Sequence, residues 1–89
     1  HVGDGNFHFG YLIDPNNTAE CATAEDLNHK LVHRALRLGG TCTGEHGIGL
    51  HKMDFLRAET GEGAVDMMRT IKLALDPHNI LNPGKIFTL

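Results

Sequence analysis

Residues 23–38 read TAEDLNHKLVHRALRL, and this stretch has the 3.6-residue period of an amphipathic helix. Thr23 followed by Asp26 resembles an N-terminal capping pair, and Gly39-Gly40 provides a stop. The stretch therefore predicts a helix from Thr23 to Leu38. Its apolar side carries Leu27, Leu31, Ala35 and Leu38.

The segment before this helix, residues 7–13, reads FHFGYLI and has the period-two alternation of a β-strand, so it predicts a first strand. Residues 40–44 are small and β-prone, and they predict a short second strand. Residues 51–58 and 64–75 predict two more helices, the second ended by Asp76-Pro77. We therefore expect both strands and helices in this chain. The apolar residues of the first strand alternate at period two, which is typical of a strand with one packed face: Phe7, Phe9, Tyr11 and Ile13.

The composition is that of one small globular domain, with 89 residues, 40% hydrophobic and 21% charged, and a formal net charge of −3. The Lys and Arg residues are scattered, so nucleic acid is not an expected partner. No apolar run approaches the roughly 20 residues that a membrane-spanning helix needs. Cys21 and Cys42 match no disulfide framework and are expected to be reduced thiols. We expect a cytoplasmic protein, with peripheral membrane association or the mitochondrial matrix as alternatives.

Two imidazoles flank a glycine-rich turn at the start of the chain: His1 and His8 enclose Gly-Asp-Gly-Asn at residues 3–6. These turn residues tolerate the positive φ of a tight hairpin, which would bring the two imidazoles together across paired strands. Two imidazoles so placed can bind one divalent metal ion. An ordinary glycine-rich hairpin with incidental histidines explains the same spacing.

A carboxylate and a further imidazole, Glu45 and His46, stand between Gly44 and Gly47. Glycine allows an irregular turn, so that both side chains can serve one pocket. Glu45 is then a candidate metal ligand and His46 a candidate base. The alternative is a glycine-rich loop with two exposed polar residues.

The other histidines are weaker candidates. His29 and His33 have the i, i+4 spacing that can bind zinc on a helix, but Lys30 stands where a metalloprotease helix has its glutamate. His51 and His78 have no partner at a suggestive spacing. We expect all four histidines at the surface.

Three ordered segments closely resemble the C-terminal part of the FAD-linked oxidases of the vanillyl-alcohol oxidase type: HVGDGNFH at 1–8, TGEHGIG at 43–49 and LALDPHNILNPGKIF at 73–87. The chain is most similar to the group of D-lactate dehydrogenase, glycolate oxidase subunit and D-2-hydroxyglutarate dehydrogenase. This resemblance implies that residues 1–89 form the last portion of a ferredoxin-like α+β cap domain, with short antiparallel strands and helices on one face. The FAD-binding domain would lie upstream, in a longer protein of which this chain is a fragment.

The resemblance also implies roles for individual residues. His1, His8 and Glu45 would bind a divalent metal, zinc or manganese. His46 would act as the catalytic base, and Asn82 would lie near the ring of FAD. Lys85 would lie near the flavin or the substrate, although a solvated turn residue explains it equally well.

The implied reaction is the oxidation of a D-2-hydroxy acid, such as lactate, glycolate or 2-hydroxyglutarate, to the 2-oxo acid. The metal would chelate the hydroxyl and carboxylate, and hydride would pass to the flavin. We expect the fragment to be inactive without the rest of the parent enzyme, and its apolar faces favour contact with that parent or with a second copy of the chain. Two alternatives remain open: a self-sufficient metallohydrolase and a non-catalytic interaction module.

Overall fold

The computed structural model describes all 89 residues, and helices are their only regular secondary structure. A short 3-10 helix at Val2–Asp4 is followed by three α-helices, α1 at Thr18–Arg37, α2 at Met53–Thr60 and α3 at Glu62–Leu75. No helix combines the length and the apolar composition that crossing a bilayer requires. The chain divides into two compact units, residues 1–44 and 45–89.

The predicted α+β fold is wrong, because the chain is all-α and neither residues 7–13 nor residues 40–44 form a strand. The period-two alternation persists locally, since the rings of Phe9 and Tyr11 lie 5.0 Å apart. A strand, however, requires hydrogen bonds to a neighbouring strand, and no segment of these 89 residues supplies them. Phe9 accordingly stays 64% exposed. The antiparallel strands expected of a ferredoxin-like portion are absent from this chain.

Helix α1 is capped six residues earlier than predicted, by Asn17 rather than Thr23. The side-chain oxygen of Asn17 accepts hydrogen bonds from the N–H groups of Ala19, at 3.1 Å, and Glu20, at 3.2 Å. Thr23 lies inside the helix, where its hydroxyl donates to the carbonyl of Ala19 at 2.9 Å.

The end of α1 confirms the predicted glycine stop. Gly39 adopts a φ of +82°, and the N–H of Gly40 donates to the carbonyl of Ala35 at 2.8 Å. A Cβ at position 40 would lie 3.0 Å from that carbonyl oxygen, a tight contact that would require the backbone at Ala35 to shift slightly. No residue of α1 is buried, and the helix therefore presents unburied apolar side chains.

The second unit contains the two helices that the sequence predicted there, with boundaries shifted by up to two residues. Gly61 connects them at a φ of +82°, a conformation that residues with a side chain rarely adopt. Helices α2 and α3 pack against each other, and Val65 is fully buried. Phe55 and Leu56 of α2 complete this small core. Helix α3 ends at Leu75, directly before Asp76, as predicted.

Candidate functional site

The first motif, residues 1–8, folds into a closed turn rather than the predicted β-hairpin. The carbonyl of His1 accepts the N–H groups of Asp4, at 2.8 Å, and Asn6, at 3.2 Å, while Gly5 adopts a φ of +74°. The predicted glycine turn is confirmed, but the two imidazoles do not face each other across strands, because a 3-10 helix closes the turn without a strand pair. His1 and His8 are both exposed.

Asn6 of the first motif touches Gly44, the residue of the second motif that directly precedes Glu45. The side chain of Asn6 lies so close to Gly44 that a Cβ there would come within 2.1 Å of its Oδ1 and 2.7 Å of its Cγ. Heavy atoms do not approach each other this closely, so any side chain at position 44 has to displace Asn6. The contact with Asn6, and not a positive φ, therefore favours glycine at this position.

The second motif carries Glu45 and His46 in a turn at the start of the second unit, where both are exposed. Gly47 and Gly49 follow at φ values of +76° and +56°. These values confirm the predicted irregular turn, which residues with side chains would adopt only under strain. An exposed carboxylate beside an exposed imidazole offers one group that can bind a cation and one that can accept a proton.

The chain after α3, residues 77–89, is called the tail below, and buried Asp76 anchors its beginning. The carboxylate of Asp76 accepts the N–H groups of Ile80, at 3.1 Å, and Leu81, at 2.9 Å. It also accepts a hydrogen bond from the ammonium of Lys72, one helical turn earlier, and that ammonium donates to the carbonyl of Leu81 as well. The last turn of α3 is thereby fixed to the residues directly before Asn82.

These donors hold Asp76 in its ionised form. The hydrogen bond from Lys72 contributes most to lowering the pKa of the Asp76 carboxyl, and the N–H groups of Leu81 and Ile80 lower it further. Burial acts in the opposite direction but is outweighed. Asp76 therefore remains a carboxylate except under acidic conditions.

Beyond this anchor, the tail adopts backbone conformations that side chains rarely take. Asn82, which is exposed, has a φ of +44°, and Ile86 has a φ of +73°, an outlier for a β-branched residue. The N–H of Ile86 donates to the carbonyl of Gly49 at 2.8 Å. The tail is therefore hydrogen-bonded to the loop that follows Glu45 and His46.

Sequence reasoning identified Asn82 and Lys85 in the tail but missed Lys72 and Asp76. An aspartate before proline indicates a helix end, and a lysine four residues before an acid is an ordinary surface pair. Burial of the acid distinguishes this pair, and the sequence does not display it. The ammonium of Lys85 donates to the carbonyl of Pro83 at 3.1 Å.

The remaining candidate residues lie largely where they were expected. Both cysteines are free thiols, with Cys42 buried and Cys21 half-buried. The ring centroids of His29 and His33 on α1 lie 6.3 Å apart. The four histidines predicted to lie at the surface are all exposed: His29, His33, His51 and His78.

Comparison with known proteins gives consistent matches along the chain. The family model described as "FAD linked oxidases, C-terminal domain" matches residues 1–86. The chain is 51% identical over 89 residues to the probable mitochondrial D-lactate dehydrogenase of Danio rerio, covering 100% of this chain and 18% of that protein. It is 42% identical over 87 residues to the glycolate oxidase subunit of Bacillus subtilis, covering 98% and 18% respectively.

A third relative is the D-2-hydroxyglutarate dehydrogenase of Xanthomonas citri, which is 44% identical over 89 residues, with 98% of this chain and 19% of that protein covered. The chain therefore spans less than a fifth of the length of each of these curated relatives.

Proposed function

Because the chain belongs to the family of FAD-linked oxidase C-terminal domains, we propose that it is the C-terminal part of a longer flavoenzyme that oxidises a D-2-hydroxy acid to the 2-oxo acid. The observation that carries the proposal is the match along nearly the whole chain to relatives named for lactate, glycolate and 2-hydroxyglutarate. These three acids share a hydroxyl on the carbon next to a carboxylate. The shared group is what the proposed reaction requires.

D-lactate is the first substrate to test. The relative named for D-lactate is 51% identical to this chain, against 42% and 44% for the relatives named for glycolate and 2-hydroxyglutarate. The D-lactate dehydrogenases among the relatives also carry the word mitochondrial in their names. Of the locations expected from the sequence, those names support the mitochondrial matrix.

His1, His8 and Glu45 are the proposed ligands of a divalent metal ion. Two imidazoles and one carboxylate are donors that both zinc and manganese accept, and all three side chains are exposed. The order and spacing of the motifs that carry these residues support the set. A bound ion would polarise the hydroxyl and carboxylate oxygens of the substrate.

His46 is the proposed catalytic base. Its imidazole would accept the hydroxyl proton of the substrate while the carbonyl of the 2-oxo acid forms. When bound, FAD would supply the two-electron oxidant that the removal of hydride from C2 requires. Asn82, exposed after the Asp76 anchor, is the proposed residue of this chain beside the flavin.

The test compares Glu45→Gln with Glu25→Gln in the full-length enzyme, because Glu25 is an exposed carboxylate on α1 outside the motifs. We expect Glu45→Gln to lose bound metal and D-lactate turnover by more than the roughly 10–100-fold that loss of an outer-sphere partner costs. Elemental analysis and steady-state kinetics measure the two effects. Glu25→Gln keeps both metal and turnover.

Unchanged metal content and turnover in Glu45→Gln would contradict the metal role. A wild-type protein without flavin that hydrolyses esters or amides would favour the metallohydrolase instead. A folded wild-type protein that holds neither metal nor flavin would favour the interaction module.

A further inference from the structure

We infer that Lys72 and Asp76 are positioning residues for the turn that carries Glu45 and His46, and that they act through the tail. The inference deepens the proposed function and rests on it for the roles of Glu45 and His46. The contacts that support it all lie within the second unit.

The beginning of the tail is fixed by a buried charge. Asp76 is only 6% exposed, and the side chain of Lys72 is 19% exposed. The carboxylate accepts two tail N–H groups, from Ile80 and Leu81, and the ammonium donates to the Leu81 carbonyl. Removing either charge leaves its partner buried with fewer hydrogen bonds, which is costly. The path of the tail toward Asn82 therefore depends on this pair.

The end of the tail is fixed to the same helix by a second cation. The Nε of Arg69 donates to the carbonyl of Thr88. The guanidinium is itself held by Asp66, at 2.6 Å, on the same face of α3. Helix α3 thus fixes the tail on both sides of the segment that contains Ile86.

Ile86 lies in the tail between the contacts made by Asp76 and Arg69, and it forms the hydrogen bond to the loop that follows His46. Ile86 has a left-handed backbone, which a β-branched residue keeps only where its surroundings impose it. In that conformation its N–H donates to the carbonyl of Gly49. Gly49 lies three residues after His46, and both Gly49 and Gly47 have positive φ. Release of the tail would let Ile86 relax and would free the carbonyl of Gly49.

The experiment uses Asp76→Asn in the full-length enzyme, with Asp26→Asn as the matched control. Asp26 forms an i, i+4 pair with Lys30 at 2.9 Å, but that pair lies on the surface of α1, with side chains 64% and 72% exposed. A second variant, Lys72→Met, removes only the cation, and Lys72→Arg restores one. Four quantities are measured: the rate of amide hydrogen exchange, kcat and KM for D-lactate, and the kinetic isotope effect of deuterium at C2.

In Asp76→Asn and Lys72→Met we expect exchange at the Ile86 amide to accelerate at least about tenfold, and exchange across residues 45–50 to rise with it. We expect kcat per folded enzyme to fall at least about tenfold, since small displacements of a reacting group are costly, while KM changes less. The isotope effect on kcat should rise because the chemical step becomes slower. Lys72→Arg recovers most of the activity, and Asp26→Asn behaves as wild type.

Unchanged exchange at Ile86 and at residues 45–50 in a folded Asp76→Asn or Lys72→Met enzyme would overturn the inference. So would a lowered thermal midpoint with kcat and the isotope effect unchanged, because that pattern belongs to a purely structural pair. Failure of the wild-type enzyme to oxidise D-2-hydroxy acids would refute the proposed function, and the exchange data would still decide whether the tail holds the turn.

Discussion

The side chain of Asn6 occupies the space in which any residue other than glycine at position 44 would place its Cβ. The two residues belong to motifs that are far apart in the sequence, and their contact lies within the first unit. It explains why a glycine directly precedes Glu45 although Gly44 does not have a positive φ. Contact with a neighbouring side chain is therefore a second reason for a glycine-rich motif, besides backbone freedom.

Gly44→Ala tests this contact. The added methyl group has to displace Asn6, and we expect a loss of stability on the order of 1 kcal/mol together with reduced turnover. Gly3→Ala is the control, because a Cβ at position 3 meets nothing within 4 Å. Thermal unfolding and D-lactate turnover of the full-length enzyme measure the effects. In the double variant with Asn6→Ala, stability should recover; a Gly44→Ala enzyme as stable as wild type would show that Asn6 moves aside at no cost.

Val65 is the most buried apolar side chain of the chain, and its truncation should be the most damaging to the α2–α3 core. We expect Val65→Ala to destabilise the domain by about 1.5–3 kcal/mol. Met67→Ala on the same helix removes a side chain that is 63% exposed, and should change stability by no more than about 0.5 kcal/mol. Calorimetry distinguishes the two outcomes, and equal losses would contradict the assignment of the core.

The Lys72–Asp76 pair predicts a specific dependence of stability on pH. The folded-state pKa of Asp76 lies below the ordinary aspartate value of about 3.9, so in acid the unfolded state binds more protons than the folded state. The contribution of Asp76 is therefore complete above about pH 5 and is lost as the pH falls below the ordinary aspartate value toward the folded-state pKa. The Asp76→Asn variant lacks this pH-dependent contribution to the free energy of unfolding.

The measurement is urea unfolding of wild type and Asp76→Asn between about pH 3 and 7, with Asp26→Asn beside them. The stability difference between wild type and Asp76→Asn should stay constant above about pH 5 and shrink below about pH 4. A difference that grows on acidification would mean that the folded-state pKa is raised.

The helices could be predicted from the sequence because their 3.6-residue period is a local property. Even so, the start of α1 was misplaced, since Thr23 with Asp26 mimics a cap while Asn17 makes the capping hydrogen bonds. The strand predicted at residues 7–13 failed for a different reason. Period-two alternation indicates which side chains lie on the same side of the segment, as Phe9 and Tyr11 do. It does not show whether a second strand is present to pair with the segment.

Some features of the candidate site could be predicted from the sequence and others could not, for similar physical reasons. The irregular turn after Glu45 and His46 could be predicted because Gly47 and Gly49 permit positive φ. The contact of Asn6 with Gly44 and the buried pair at Asp76 could not, because they depend on tertiary packing. The metal and flavin roles were assigned from the resemblance of three ordered motifs to the FAD-linked oxidases. Residue spacing alone did not distinguish these motifs from ordinary glycine-rich loops.

The most direct test of the central claim is anaerobic flavin reduction by D-lactate in a single turnover of the full-length enzyme, comparing wild type with His46→Asn. We predict that wild type reduces its flavin with the D but not the L enantiomer. His46→Asn should retain flavin but reduce it about 10²–10⁴-fold more slowly, because a positioned base contributes that much. His29→Asn, on the surface of α1, serves as the control. Flavin reduction at the wild-type rate in His46→Asn would contradict the account.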